Sequence, residues 1–596
     1  MLHRIVRGLV IKMKEIKQKK WFTDFGVLVA FIILSVLFTS FFISSGRIAL
    51  ASDGSFHFSR AEELYQNLKS GSFFTFIATH TFHGSGVGTF LFYPAVFIYP
   101  WAFLRFLFNP ITAFYIWYGV FMFLTLVISY YVMVKFSQNR LRGFVFALFY
   151  TVGSYHLYLG IKNYVLGEFI AYTFVPIAMY GFYEVVWGNS KKWPFLAVGC
   201  ILLLYSHLLS VVIAVGIMVI IFIITLILGK RLEQARWFAL LKSIGLATLL
   251  GSWVVYPFIS DYLKDELGGP TPGFTWIRSA SVVFDASLKN VASNKGVGLA
   301  LLVAALIGWY FVKSKTQEKI FYILGIFFLL AVTNIFPYVI LWKYNIFPAL
   351  QVIQFPYRFL TYASFFLAIV VSEIVVKLSS NLYKYHEILL AMAMLLLSFC
   401  LYCSAVTPVL ERIWNQNPQA KLQNVHDYYA SVPSGGIIDK ENYQSLFSYV
   451  ILYGETDYYP KESFSNNDIL SNQGAKSIIS HEAKVGNQTE QLQAISLPNA
   501  LLFNIKVTRA TTIDLPVVSY ASDVVYVDNK KVSFKTSDRG TIKINVKKGT
   551  HQIKVQYQMS SLFYVLFGVS LLGWISIFLV WVLRKVKLYC REGTVS

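Results

Sequence analysis

The chain has 596 residues, of which 56% are hydrophobic and 14% are charged, and its mean hydropathy is +0.56. Soluble domains carry about a quarter charged residues, so this composition excludes an ordinary soluble protein. The formal net charge of +22 would suit a nucleic-acid-binding protein, but the basic residues crowd the ends of hydrophobic runs. Lys and Arg in that position are typical of the cytoplasmic ends of membrane helices, and nucleic acid is therefore not an expected partner.

The hydrophobic residues occur in separate runs that approach or reach the roughly 17–25 residues that a helix needs to cross a bilayer. In chain order these runs cover residues 25–41, 113–134, 211–228, 238–255, 299–312, 320–332, 362–376, 388–403 and 562–583. The first run lacks a small-residue cleavage site, so we expect it to be retained as a helix rather than removed as a signal peptide. With the less regular segments between them, the runs predict about twelve transmembrane helices.

The positions of Lys and Arg orient these helices. Basic residues precede the first run and follow the last, which predicts that both termini are cytoplasmic. If residues 90–108 crossed the membrane, Arg140 and Arg142 would be external. If that segment lies along the outer surface instead, these two residues and the basic residues of the later short loops all fall inside. We therefore predict a juxtamembrane or re-entrant segment at 90–108, within a first external loop at 44–109.

Four parts follow from this topology. Residues 1–24 are a basic cytoplasmic N-terminus, 25–406 a transmembrane domain, 407–560 an external domain, and 561–596 a last transmembrane helix with a basic tail. The latter half of the external domain alternates apolar and polar residues with the period of a strand. The alternating runs cover residues 500–507, 511–517, 524–527, 541–546 and 551–557. They predict a small β-sandwich, preceded by a mixed region at 424–478.

The first external loop opens with a group of polar residues that suits sugar or anion chemistry. Asp53, His57 and Arg60 recur at i, i+4 and i+7, so a helix would carry all three on one face. A carboxylate can take a proton from a hydroxyl group, and Arg or His can hold a phosphate. The alternative is a solvated interfacial helix whose charges pair with one another.

Other polar residues fall at the same outer level of the predicted topology. Glu168 lies at the outer mouth of a span, where a carboxylate must face a cavity or a partner because facing lipid is costly. His207 lies between two spans. It could be a site residue or, equally well, a histidine that forms hydrogen bonds at the membrane interface without a functional role. Gln354 and Arg358 precede a later span in the motif Gln-Phe-Pro-Tyr-Arg.

Metal and disulfide chemistry receive little support from the sequence. His80 and His83 have a spacing that could bind a metal, but no third ligand is evident nearby, and polar loop histidines are the simpler interpretation. Cys400 and Cys403 lie inside a hydrophobic run, where packing is the expected role. No metal site is assigned, and the cofactor, including a divalent metal, is left open.

Several of these residues together resemble a known group of bacterial membrane proteins. The resemblance covers the run from Asp53 to Leu64, Tyr93-Pro94, Gly167-Glu168, Ser206-His207, residues 354–358 and, in the external domain, residues 520–531 and 548–551. In this order they are similar to the YfhO-like and "6-pyruvoyl-tetrahydropterin synthase-related" group. That group is placed among GT-C-fold glycosyltransferases, so the implied fold is a GT-C-like polytopic α-helical membrane protein with a C-terminal extracytoplasmic domain.

The resemblance implies a sugar transfer from a polyprenyl-phosphate carrier to a cell-envelope glycan or glycopolymer, at the extracytoplasmic face of the bacterial cell membrane. An acidic residue of the first external loop is the catalytic base in such enzymes, and Asp53 is the residue that matches. Many members have two adjacent acids there, whereas this chain has Asp53-Gly54. In this scheme His57 would orient the acceptor, and Arg358, with Arg60 or His207, would stabilise the departing phosphate.

Two other classes of function remain open at this stage. A transporter or flippase for a lipid-linked sugar would use a similar set of helices without bond chemistry, but transporters place ionisable residues near the middle of the bilayer. The hydrophobic runs here carry almost no charge at their centres, which favours an interfacial enzyme. An assembly protein whose external domain does the binding is the third possibility.

Overall fold

The computed structural model describes residues 20–229, 231–262, 267, 277–314, 316–346, 353–379, 384–418, 436–448, 456–464 and 473–593. The basic residues before Lys20, which carry part of the orientation argument, lie outside this range. Within the predicted mixed region at 424–478, residues 424–435, 449–455 and 465–472 also lie outside it.

Helices make up most of the described chain, and they are numbered here in chain order. The first ten are α1 (Lys20–Ser45), α2 (Gly54–Lys69), α3 (Thr89–Phe92), α4 (Tyr99–Leu104), α5 (Pro110–Ser137), α6 (Arg140–Thr151), α7 (Ser154–Leu157), α8 (Leu166–Val186), α9 (Pro194–Ser206) and α10 (Leu208–Ile227). The others are α11 (Gln234–Pro257), α12 (Ala280–Leu288), α13 (Leu299–Val312), α14 (Thr316–Leu330), α15 (Tyr338–Lys343), α16 (Leu360–Ser379), α17 (Lys384–Asn415), α18 (Gln473–Ile479) and α19 (Ser561–Gly593).

Eight helices of the described chain are long and apolar enough to cross a membrane, namely α1, α5, α8, α10, α11, α16, α17 and α19. A ninth crossing is formed if α6 and the segment 154–162, which bend by 46° at their junction, count as one span. The predicted polytopic helical architecture is confirmed. The predicted number of about twelve requires the shorter helices α9, α13 and α14 to cross as well.

The membrane helices differ in how much of their surface the protein covers. The most apolar window of α8 is 89% buried and that of α16 is 83% buried, whereas α19 is only 6% buried. Because lipid tails are as apolar as Leu, an outer helix can leave most of its surface facing lipid without penalty. Helices α8 and α16 are therefore the central pair, and the site described below lies at their N-terminal ends.

Residues 90–108 do not form a continuous transmembrane helix. They contain the end of α3 and the six-residue α4, which has Pro100 in its first turn. Asn109 then caps α5, since its side chain accepts hydrogen bonds from the amides of Ile111 and Thr112. The structure thus has no membrane-crossing helix at 90–108, and the placement of this segment along the outer surface stays a prediction.

Two five-stranded antiparallel sheets form the C-terminal β-sandwich, as predicted. One has the order β10–β11–β7–β3–β4 and the other β5–β6–β12–β8–β9. The strands are β3 (Glu482–Val485), β4 (Gln488–Gln491), β5 (Ile495–Leu497), β6 (Ala500–Val507), β7 (Thr511–Val518), β8 (Asp523–Val527), β9 (Lys530–Val532), β10 (Lys535–Thr536), β11 (Thr541–Val546) and β12 (Gly549–Tyr557). Apolar residues at alternate positions of β6, β7, β8, β11 and β12 fill the space between the sheets.

The external domain is joined to the first external loop at several points. Strand β1 (Ile48–Ala49) pairs with β2 (Ile437–Ile438) directly before α2. Asn499 accepts a hydrogen bond from the amide of Phe76 (2.7 Å) and donates one to the carbonyl of Phe74 (2.8 Å). The Tyr520 hydroxyl accepts one from the amide of Gly88 (2.8 Å). The first external loop is therefore held between the membrane helices and the sandwich.

Helix α17 continues to Asn415, beyond residue 407, where the sequence places the start of the external domain. Thr407 and Pro408 lie within this helix, and its last turns extend past the predicted boundary. The four domain limits derived from the sequence stay predictions.

Candidate functional site

Asp53 lies at the start of α2, where the chain leaves the short strand β1. Ser52 donates a hydrogen bond from its hydroxyl to Asp53 Oδ1 (2.8 Å), and the Asp53 amide donates to the carbonyl of Asn163 (3.3 Å). The next residue has little room for a side chain, since a Cβ atom on Gly54 would lie 2.7 Å from Leu50 Cδ1. A side chain at position 54 would therefore require Leu50 to move.

The environment of Asp53 favours its use as a base. Burial raises the pKa of this carboxyl group, while the hydrogen bond from Ser52 and the positive charge of Arg358 act in the opposite direction. A carboxylate with a raised pKa binds a proton more tightly than a solvated one, so it is a stronger general base. The side chain is nevertheless partly exposed, as a base that meets a substrate must be.

His57 and Arg60 follow Asp53 on α2, and both are buried. The His57 ring packs edge-on against Tyr93 at 5.5 Å, and burial lowers its pKa well below the usual value, with the positive charge of Arg60 acting in the same direction. His57 is therefore neutral at physiological pH. Its Nδ1 atom is buried and has no hydrogen-bond partner within the described residues.

Arg60 has a second role that the sequence did not reveal. Its Nη2 donates to the carbonyls of Tyr93 (2.7 Å) and Pro94 (2.8 Å), and its guanidinium lies 4.5 Å from the centre of the Tyr93 ring. Arg60 thus fixes the turn between α3 and α4. Its Nε and Nη1 are buried and have no hydrogen-bond partner in the described part of the chain.

Tyr93 connects the residues of the candidate site, although it was not among the predicted site residues. Its ring lies between those of His57 (5.5 Å) and His207 (5.4 Å). A Cβ atom on Gly167 would lie 2.1 Å from the Tyr93 hydroxyl, so only glycine lets the tyrosine approach the start of α8. The Tyr-Pro pair marked a turn in the sequence, but nothing in the pattern indicated which side chains the tyrosine would contact.

Glu168 and Arg358 form the other half of the site. Glu168 accepts a hydrogen bond from the Tyr155 hydroxyl (2.7 Å) and lies 3.6 Å from Arg358, measured from Oε2 to Nε. Arg358 also donates from Nη1 to the carbonyl of Ile353 (3.1 Å). Glu168 is buried within the protein and faces this cation, which agrees with the expectation that it does not face lipid.

The remaining two predicted site residues lie in connecting segments. His207 links α9 to α10, and its Nδ1 is 2.9 Å from the Ser210 hydroxyl. Gln354 lies in the turn that leads to Arg358, with a positive φ of 62°. The positive charge of Arg358 acts on both Asp53 and His207, so Arg358 lies within electrostatic range of these two residues. The roles assigned to them stay predictions.

Glu62 and Glu63, the other acidic residues of α2, are bound to neighbouring protein groups. Glu63 accepts hydrogen bonds from the amides of Thr79 (2.9 Å), His80 (2.8 Å) and Thr81 (2.8 Å). Glu62 pairs with Arg105 at 3.0 Å. Both carboxylates are therefore poor alternatives to Asp53 as a base.

His80 and His83 do not form a metal site with other residues that the structure describes. His80 Nδ1 lies 3.2 Å from Glu63 Oε1, so its ring takes part in the Glu63 network. Within the described ranges, no group of three or more His, Cys, Asp or Glu side chains is arranged to hold a metal ion.

We expect Glu63→Gln to destabilise the protein without changing the rate of the reaction per folded molecule. An amide group in place of the carboxylate would turn an NH₂ toward amide donors, which leaves buried donors unpaired at a cost of about 3 kcal/mol. Thermal unfolding of the purified variant measures this loss. Surface-exposed Glu490→Gln in β4 is the matched control, and equal melting temperatures for the two variants would contradict the role of Glu63.

Comparisons with known proteins give similarities of fold only. No protein-family model matches the sequence, and no curated protein matches it. The arabinofuranosyltransferase AftD from mycobacteria is similar over 89% of this chain, with 11% identity and a TM-score of 0.48, and the chain spans 40% of the length of AftD. ArnT from Cupriavidus metallidurans, solved with bound undecaprenyl phosphate, is similar over 72% of this chain and 85% of its own, with 11% identity and a TM-score of 0.35. At TM-scores below 0.5, neither similarity supports a statement about the substrate or the reaction of this chain.

Proposed function

We propose that this protein transfers a sugar from a polyprenyl-phosphate carrier to a cell-envelope glycan or glycopolymer, as an inverting GT-C-type glycosyltransferase. One observation carries the proposal. A carboxyl group whose pKa is raised by burial, Asp53, is within electrostatic range of Arg358 near the N-terminal ends of the central membrane helices. A base for a hydroxyl and a cation for a phosphate are the two groups that such a transfer requires.

The proposed reaction is a single displacement at the anomeric carbon of the carrier sugar. Asp53 takes the proton of the acceptor hydroxyl while the hydroxyl oxygen forms a bond to the anomeric carbon. The bond between that carbon and the phosphate oxygen breaks, and polyprenyl phosphate leaves with the electron pair. Neutral His57 holds the acceptor hydroxyl in position through its unpaired ring nitrogen.

The anionic phosphate is assigned to the basic residues of the site. Arg358 is the main contact, since its positive charge acts on Asp53, and Glu168, 3.6 Å from its Nε, holds the guanidinium in place. Arg60, Gln354 and His207 are assigned to the phosphate as well. Any requirement for a divalent metal is left open.

The carrier lipid would reach the site laterally from the outer leaflet, between membrane helices. This requires the orientation that the basic residues predict, with both termini in the cytoplasm and the sandwich outside. Labelling of single cysteines from outside the cell tests that orientation. Gln473→Cys is expected to react and Arg140→Cys is not.

The experiment that tests the proposal uses the purified full-length protein in lipid nanodiscs, with a fluorescent polyprenyl-phosphate sugar. Release of polyprenyl phosphate together with a sugar-extended acceptor supports a transferase. Movement of the intact lipid between leaflets of proteoliposomes, without release, would identify a flippase instead. Binding of the glycan without either event would identify an assembly protein.

A further inference from the structure

The end of the β-sandwich farthest along the strands from the last membrane helix is strongly basic. Strand β12 ends at Tyr557, whose hydroxyl donates to Asp261, four residues after the end of α11 (3.0 Å). α19 begins four residues later, at Ser561. The other end of β12, at Gly549, is about 27 Å away at the usual rise of a strand. We call that end the distal end.

Three of the connections at the distal end follow β6, β8 and β11, which all run toward it: two pass from one sheet to the other, and the third is the β8–β9 hairpin. The register places Val507 of β6 opposite Gly549 and Val527 of β8 opposite Ile553. The turns that follow these strands join β6 to β7, β8 to β9 and β11 to β12. Side chains that are distant in the sequence are thereby brought to one surface.

These turns and the adjoining strand ends carry exposed cationic side chains. The exposed basic residues of the distal end are Lys506, Arg509, Lys530, Lys531, Lys547 and Lys548. Neighbouring strands of a sheet lie about 4.8 Å apart. Charges at the ends of neighbouring strands therefore fall within or close to the screening length of about 8 Å at physiological salt. Their fields therefore add.

Negative charge at this end is small and already neutralised. Asp528 is the acidic residue of the three turns, and its carboxylate lies 2.7 Å from His551 Nδ1. The same carboxylate accepts a hydrogen bond from the amide of Gln552 (3.0 Å). Both interactions lower the pKa of Asp528 and keep it ionised, so one negative charge and one histidine offset each other. The six basic side chains are left in excess.

The adjoining sheet face has the composition of a glycan-binding surface. Tyr526 of β8 stands between Lys531 of β9 and Lys554 of β12 in the register. Asn504 and Gln552 lie opposite each other further along the same face. An aromatic ring with amide side chains supplies stacking and hydrogen bonds to sugar rings, and the lysines supply the charge.

We propose that the distal end of the sandwich binds a polyanionic glycan, a polymer of sugars that carries carboxylate or phosphodiester groups. Charge complementarity supports this occupant, and the distance along the strands from the membrane helix favours a polymer of the cell envelope over lipid headgroups. In the proposed reaction this polymer is the acceptor, an assignment that rests on the proposed function. The binding surface itself does not depend on it.

The test measures binding of a fluorescent polyuronate, a polyanionic polysaccharide, to the full-length protein in nanodiscs of neutral lipid. The triple variant Lys506→Gln, Lys547→Gln and Lys548→Gln removes three charges of the distal end. Its affinity is expected to fall about tenfold, since exposed ion pairs contribute up to about 1 kcal/mol each. Binding to the wild type is expected to weaken as salt is added, and neutral dextran is expected to bind to neither protein.

The matched control is the triple variant Lys484→Gln, Lys535→Gln and Lys543→Gln. It loses the same number of charges from the outer face of the other sheet, where these lysines are exposed. Unchanged affinity in this control supports a specific site. An equal loss in both triple variants would show an effect of net charge alone, and full affinity in the distal variant would place the glycan elsewhere. Either result overturns the proposal.

The same distal variant separates this inference from the proposed enzyme activity. Transfer to a short, uncharged acceptor does not use the distal end and is expected to stay at the wild-type rate. Loss of polyuronate binding with intact transfer supports both proposals. If neither the wild type nor the distal variant transfers sugar, while the distal variant alone loses polyuronate binding, the result would retain the glycan site and reject the transferase.

Discussion

Purified Asp53→Asn protein is expected to fold normally and to transfer sugar at least about 100-fold more slowly than the wild type. Asn is nearly isosteric with Asp, and its carbonyl oxygen can still accept the hydrogen bond from Ser52. It cannot take a proton from an acceptor hydroxyl. Binding of the carrier lipid should persist, because the phosphate contacts assigned to Arg358 are unchanged.

Ser52→Ala is the matched control, since it keeps the carboxylate and removes only the hydrogen bond to it. That bond lowers the pKa of Asp53, so its loss should raise the pKa further. A base works when it is deprotonated, and the rate therefore rises with pH through the pKa of Asp53. The acidic limb of the pH–rate profile of Ser52→Ala is expected to move to higher pH. Full activity of correctly folded Asp53→Asn, measured by single turnover, would reject Asp53 as the base.

The second large effect is expected for Arg358→Gln, which should weaken carrier binding and turnover together. A hydrogen bond to a charged group is worth about 1.5–3 kcal/mol, so the dissociation constant for the carrier lipid should rise about 10- to 100-fold. The comparison with Asp53→Asn is informative, because that variant is expected to lose turnover and keep binding.

A loss in Arg358→Gln has a second possible cause, since the substitution leaves the buried Glu168 without its cation. The double variant Arg358→Gln with Glu168→Gln removes both charges, and the two amide side chains can form a hydrogen bond with each other. If Arg358 binds the phosphate, the double variant should regain thermal stability and still bind the carrier weakly. Wild-type affinity in the double variant would assign Arg358 to structure alone.

The membrane helices of this protein were predictable because crossing a bilayer requires a long run of apolar residues, which is visible in the sequence alone. The run at 299–312 coincides with α13, and the run at 113–134 lies within α5. The strands with clear alternation were also found, since 500–507 and 541–546 coincide with β6 and β11. The edge strands escaped the prediction. Every residue of β4 is exposed and none is strongly apolar, so no pattern marked it.

The predicted site residues lie near one another, but their individual partners could not be read from the sequence. Spacing indicated that Arg60 shares a helix with Asp53, while its contact with the carbonyls of Tyr93 and Pro94 depends on a turn formed more than thirty residues later. Glu63 looked as available as Asp53 in the sequence. The amides that surround it come from residues 79–81, whose path is fixed by the fold of the whole loop.

The attachment of the sandwich to the first external loop has a consequence for the order of biogenesis. The loop is made early, but Asn499, which holds the backbone at Phe74 and Phe76, follows more than four hundred residues later. Tyr520 and Ser496, which bind Gly88 and Thr79, come equally late. During synthesis the segment next to Asp53 therefore lacks these supports until almost the entire chain has left the ribosome. Under the proposed function, a nascent or truncated chain would therefore have an unfinished site until its C-terminal domain has folded.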